Sequence, residues 1–260
     1  MSEIVTYETR ERIAIITLNR PEARNAVNGA VAEALEAAID QMEDDDGIWV
    51  GVLQANTEGQ SRPVFCAGAD LKAINSGDQR LTTKRGNFAG YVYRDRRKPV
   101  VVAVDGLATA GGCEIVLASD LVVATTRSSF GLAEVKRNLI AGAGGLFRLP
   151  RAIGQAAAME MILTGEPIDA ERAYNLGLVS RLVEPGQAEA EAMRLAEKIT
   201  EAAPLAVWAS RKVVLAAAQE DDETLIKMTG DAFSSIIASE DTKEGLEAFI
   251  EKRQPTWKAR

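Results

Sequence analysis

The chain contains no histidine in 260 residues. That absence removes every Ser/His/Asp and Cys/His nucleophile system, and with them the commonest transition-metal ligand. Cysteine is nearly as scarce. Cys66 and Cys113 both lie in apolar, glycine-rich segments, and their spacing builds no disulfide framework, which points to a reducing, cytoplasmic setting. Without a histidine or cationic neighbour to form a thiolate, Cys113 reads as a small packing residue. Positive charge is in deficit, 30 Lys and Arg against 38 Asp and Glu, which argues against an extended nucleic-acid surface. An anionic small molecule stays open, because a few local cations or helix N-termini can hold it. No apolar run approaches the ~18 residues of a membrane span. The opening MSEIVTYETRE has neither a basic n-region nor an apolar h-region, so a soluble, unprocessed protein is expected. An enzyme of this composition without a prosthetic group works with carboxylates and backbone dipoles.

What is present is ample apolar residue, 47% of the chain, enough for one sizeable domain. Residues 3–8 and 12–18 read as a hairpin. Pro21 then breaks the strand ahead of a helix over 27–42, where Ala, Leu and Ile recur at helical spacing. Strand patterns follow at 49–56, 96–106 and 121–126, the last with a short strand SSFGL behind it, and the order of strand, loop, helix and strand points to crossover units and a largely parallel sheet. Helices are predicted from 112 to 119, from the glycines at 142, 144 and 145, and from a cap at Asp169. The polar stretch 76–95 reads as helix or mobile cover. Past Pro185 the sequence turns almost wholly helical. This divides the chain into an α/β core over 1–185 and a C-terminal helical region over 186–260, part of which must pack on the core or on another subunit.

Four segments call for one explanation: CAGAD at 66–70, TAGGCE at 109–114, AEVK at 133–136 and GAGG at 142–145. Glycines between a strand end and a helix start let backbone N–H groups approach a ligand without Cβ interference. Two such junctions aimed at one point make an oxyanion hole. Glu114 falls in the first turn of a helix, where the dipole tolerates its charge. Glu134 follows an apolar strand and reads as partly buried. Two carboxylates beside an apolar pocket divide into base and acid when their pKa values are pushed apart. The alternative for either residue alone is a local cap or ion pair, and it is the conjunction that favours a site.

These segments also carry a resemblance. LNRPEARNAVN at 18–28, VFCAGADL at 64–71, AVDGLATAGGCEIVLASDLVVA at 103–124, FGLAEVK at 130–136, GAGGLFRLPRAIG at 142–154, LTGEPIDAERAYNLGLVSRLV at 163–183 and EGLEAFIEKRQP at 244–255 together resemble the crotonase superfamily, the enoyl-CoA hydratase/isomerase family, over essentially the whole chain. The resemblance implies a spiral of ββα units with C-terminal helices, a homotrimer or dimer of trimers, and an acyl-CoA thioester as ligand, with no metal and no cofactor beyond the coenzyme A of the substrate. Carried over residue by residue, it puts the thioester oxygen on the amides of Ala69 and Gly111 and the acid/base pair on Glu114 and Glu134. It also puts coenzyme A near Arg24, Ala26, Ala67, Gly68, Asp70, Leu71 and Gly112, and Phe249 and Lys252 at a neighbouring subunit's site. The implied reaction is reversible, syn-type addition of water across a 2-enoyl thioester. Dehydration, isomerisation, a hydratase–lyase step, or acyl-CoA binding without catalysis are the alternatives. Where the family commonly has Gly and then Pro after the second glutamate, this chain has Asn138 and Ala141. Asn tolerates left-handed backbone, while the changed wall leaves acyl specificity open.

Overall fold

The computed structural model describes residues 3–77 and 80–260. The chain opens with an antiparallel pair, β1 (Val5–Arg10) and β2 (Ile13–Leu18), then a 3-10 turn at Pro21–Ala23 and helix α1 (Gly29–Asp44), capped by the Asn28 side chain. There follow β3 (Val50–Ala55), β4 (Val64–Cys66), α2 (Leu71–Asn75), the short ribbon β5 (Thr82–Thr83) and β6 (Asn87–Phe88), β7 (Val100–Val104), β8 (Leu107–Thr109) and α3 (Gly111–Leu117). The third turn of chain brings β9 (Leu121–Thr125), β10 (Ser129–Gly131), a 3-10 turn at Glu134–Arg137 and α4 (Gly145–Ile153). After α5 (Gln155–Thr164), β11 (Ile168–Asp169), α6 (Ala170–Asn175) and β12 (Arg181–Val183), the chain ends in four helices: α7 (Ala188–Thr200), α8 (Pro204–Ala216), α9 (Asp222–Ile237) and α10 (Glu240–Glu251).

Two sheets grow side by side. One runs β1-β2-β3-β7-β9-β12 and the other β11-β10-β8-β4. Each turn of the spiral therefore lays one strand on each sheet, β3 then β4, β7 then β8, β9 then β10, with parallel pairing inside each sheet. The inner strands of the first sheet, β2, β3, β7 and β9, are buried on both faces, which is why they read as apolar runs. Ile16, Leu53 and Val102 face α1 and the site. Ile15, Val52, Val101 and Val123 face Ala188, Ala192, Met193 and Ala196 of α7. Helix α7 lies beyond the 185/186 division and still closes the core. In α8, Trp208 is buried, and its indole N–H donates to the Trp49 carbonyl at 3.0 Å.

One expectation needs correction, and two details were not foreseen. Among the described residues 76–95 form no helix past Asn75; turns and the β5–β6 ribbon take their place, and positions 78 and 79 lie outside the described residues. The ribbon persists because Phe88 buries its ring while Glu36 of α1 accepts from Thr83 Oγ1 and from the Gly86 amide. Strand β8 was not anticipated in LATA, whose three paired residues are too few to show a periodicity. Asp70 precedes the first turn of α2 as its cap, accepting from the amides of Lys72 and Ala73.

Candidate active site

The segment after β2 acts as a template for the first glycine loop. The Val27 amide donates to Gly68 O at 2.8 Å, the Asp70 amide to Val27 O at 2.8 Å and the Ala67 amide to Arg24 O at 3.1 Å. This ladder engages residues 67, 68 and 70 and passes over the intervening Ala69 amide. Arg20 holds the template in place, donating to Ala26 O at 2.7 Å and pairing with Asp70 at 3.3 Å. Buried Asn25 bridges the Asn56 and Val64 carbonyls, and the Cys66 thiol donates to Asn25 O at 3.1 Å. Burial pushes that thiol up to about 12, so it stays neutral.

The second loop precedes α3. Ala110 sits at φ 51, ψ −128, a costly conformation for a residue with a Cβ, and its amide is held by Gly131 O at 2.8 Å. The chain then turns so tightly that a Cβ on Gly112 would stand 2.1 Å from Cys66 O, and one on Gly68 2.9 Å from the Gly111 nitrogen. The two loops are thus in contact. Among the described residues, neither the Ala69 amide nor the Gly111 amide has an acceptor.

Both loops open on a cavity of about 470 Å³ whose walls include Leu71, Leu81, Phe88, Leu139 and Ile140, with Glu114 and Glu134 as its carboxylates and Arg137 as its cation. Glu114 is 3% exposed, and its Oε1 accepts from the Gly145 amide at 2.9 Å. Burial raises it to about 7 against the pull of the Gly145 and Ala143 amides, and Glu134 adds to the rise. Glu134 is raised too, by burial first, and its Oε2 is buried without a hydrogen-bond partner among the described residues. Two carboxyls in one cavity that both resist ionisation are suited to exchange protons with a bound substrate.

Of the residues named from sequence, Ala67, Ala69, Leu71, Gly111, Glu114 and Glu134 line this cavity together. Gly68 and Gly112 lie behind it as the close-approach glycines, and Ala26 is buried in the template. Asp70's carboxylate is engaged by Arg20 and α2. Arg24 is exposed at φ 53 just outside the cavity lining. Phe249, 84% exposed, and Lys252 lie at the end of α10, away from the cavity lining. Sequence reading missed Arg20, Phe88, Arg137 and the apolar pair Leu139 and Ile140. Only Arg20 had a visible signal, a lone cation between a strand end and a proline. Among the described residues no group of three or more His, Cys, Asp or Glu is placed to hold a metal ion.

Paired parallel sheets wound as a spiral, with two unpartnered amides below two desolvated carboxyls, define a crotonase-type protein. The enoyl-CoA hydratase/isomerase family model matches residues 8–260, and the chain belongs to that family. It is similar to the crystal structure of an enoyl-CoA hydratase from Mycobacterium tuberculosis, 45% identical with a TM-score of 0.94 and all of both chains covered. It is 36% identical to a probable enoyl-CoA hydratase of Rhizobium meliloti, with 99% of each chain covered. It is also 38% identical to an (E)-benzylidenesuccinyl-CoA hydratase of Thauera aromatica, with 98% of each covered.

Proposed function

We propose that this protein is an enoyl-CoA hydratase, adding water reversibly and syn across the 2,3 double bond of a 2-enoyl-CoA thioester. The observation that carries this reading is the convergence of two acceptor-free amides and two pKa-raised carboxyls on one apolar cavity. In this reading the thioester oxygen sits between the amides of Ala69 and Gly111. Polarisation there makes the β-carbon electrophilic, and negative charge grows on that oxygen as water adds. Each such donor is worth on the order of 3 kcal/mol in the transition state. Ionised Glu114, fixed by the Gly145 amide, takes a proton from the attacking water. Neutral Glu134 delivers its proton to the α-carbon, so the substrate gains H and OH and the two carboxyls end with their protons exchanged. Charge leaves one carboxyl as it arrives at the other, and transfer through solvent resets the pair.

Coenzyme A lies along the Ala67–Leu71 loop in this reading, beside Ala26 and with Arg24 facing its phosphates, while Gly68, Asp70 and Gly112 act by shaping the loops. The substrate brings all the cofactor the reaction uses. The apolar residues exposed on the last helices, Val214, Ile226, Phe233, Leu246 and Ile250 besides Phe249, support self-association as a homotrimer or dimer of trimers. That association brings Phe249 and Lys252 to a neighbour's site. No described helix is long and apolar enough to cross a membrane, and two buried, unpaired cysteines support a reducing, cytoplasmic setting. The test is a spectrophotometric screen of enoyl-CoA thioesters of graded length, including aromatic acyl groups, with Glu114→Gln and Glu134→Gln alongside. Loss of turnover by orders of magnitude with coenzyme A binding retained is expected. Undiminished turnover in either variant overturns the assigned roles.

A further inference from the structure

Glu114 is held by one loop, and that loop is held by one guanidinium. Arg148 of α4 donates from Nη2 to Val92 O at 2.6 Å and from Nη1 to Ala143 O at 3.3 Å. Its Nη1 lies so close over Gly144 that a Cβ there would meet it at 2.3 Å. Its guanidinium lies 5.1 Å from the Tyr93 ring centroid and 5.3 Å from that of Phe147, two rings that stack on one another at 6.3 Å. Arg148 is half-buried, and among the described residues it makes no ion pair. Nearby acids pair elsewhere: Asp120 takes Arg96 and Arg211, and Asp40 takes Arg94 and Arg85. The loop that Arg148 clamps, Ala143 to Gly145, is the one whose amides favour the ionised form of Glu114.

We propose that Arg148 is a positioning residue for Glu114: it braces the 143–145 loop against the chain at Val92 and sets a cation that pairs with no acid where it favours the ionised carboxylate. A half-buried cation without an acid partner carries a desolvation cost, which the Tyr93 side chain and an ionised Glu114 both offset. The charged and titratable groups around the pair are Glu134 and Cys113 on the Glu114 side, with Tyr91, Tyr93 and Arg96 on the Arg148 side, Arg151 over the same Phe147 ring, and Arg94, Asp95, Asp120 and Arg211 lining the cavity that Arg148 shares. Arg137 acts on Glu134. None of these supplies Glu114 with a second cation, so Arg148 acts beside the Gly145 and Ala143 amides as the cation that favours its ionised form.

The inference rests on the hydratase reading only in naming Glu114 the base, and its test is independent of turnover. Carboxyl-carbon NMR of isotopically labelled glutamates, with the Glu114 signal assigned by Glu114→Gln, follows the titration of Glu114 in the whole protein. Arg148→Met and Arg148→Gln raise the Glu114 midpoint, and Arg148→Lys, which keeps the charge, holds it near the unsubstituted value. In the enoyl-CoA assay the acid limb of kcat moves by the same interval in the first two variants. Midpoints unchanged in the folded Met or Gln variant overturn the proposal. So does a Lys variant whose midpoint rises, a result that stands even where the neutral variants fail to fold. Absence of enoyl-CoA turnover with the midpoints moving as stated sinks the hydratase reading and leaves the Arg148–Glu114 coupling intact.

Discussion

Glu114→Gln separates what this residue does for the reaction from what it costs the fold. Burial lifts the carboxyl from its ordinary 4.5 to about 7. Below 4.5 both folded and unfolded chains carry the proton, and the site contributes fully to stability. Between 4.5 and about 7 the unfolded chain releases its proton first, so the unfolded state binds fewer protons and stability falls as pH rises. Above about 7 the loss is complete, and displacement over this interval amounts to roughly 3 kcal/mol. With Glu114 only 3% exposed, solvent screening removes little of that figure. Glutamine keeps an oxygen for the Gly145 amide and cannot ionise. Denaturant unfolding of both proteins at matched concentration, at about pH 4.5 and about pH 8, therefore gives a stability difference that grows by roughly 3 kcal/mol in favour of the variant. Titrations of groups that do not sense the Glu114 charge cancel in that difference, while turnover falls by orders of magnitude. Identical pH dependence of stability in the two proteins refutes the claim that burial of an ionisable Glu114 is a stability cost accepted for function.

Three further outcomes follow from the packing. Gly112→Ala places a Cβ 2.1 Å from the Cys66 carbonyl oxygen, so the two loops must part; a loss of about 3 kcal/mol in thermal or denaturant unfolding accompanies loss of turnover. Ala110→Gly relieves the strain at φ 51, ψ −128 and raises stability by about 1 kcal/mol after the added freedom of the unfolded chain is counted; a lower melting temperature contradicts that strain. Lys98 is fully buried, and its ammonium donates to the carbonyls of Met42, Glu43 and Asp45 at the end of α1. Lys98→Met leaves those acceptors unpaired and costs about 3 kcal/mol, read as a shifted denaturation midpoint, and an unshifted midpoint shows that water replaces the ammonium.

Much of the site was legible in order of sequence and little of it in depth. The amide of Ala69 follows CAG and that of Gly111 opens AGGCE, each at a strand-to-helix junction whose glycines announce a close approach. What those strings do not carry is which amide is spare. That depends on Val27, forty-two positions before Ala69, pairing with residues 68 and 70 and so excluding residue 69 from the ladder. Asp70 shows the same limit from the other side, since nothing in CAGAD tells that its carboxylate is engaged by Arg20 across fifty residues of chain. The β5–β6 ribbon escaped notice because two-residue strands have no period, and their stability comes from Phe88 filling the space beside Gly111.

By itself the sequence determined the chemistry available to this protein. Lacking histidine and having glycines where strands become helices, it was confined to carboxylates and backbone amides, and the alternation of apolar runs with helices dictated a parallel core. Tertiary structure alone decided how those parts are tuned. Glu114 reaches about 7 because residues from α3, the 3-10 turn after β10, and the loop before α4 meet at one buried point, and desolvation is a property of that meeting which no single segment possesses.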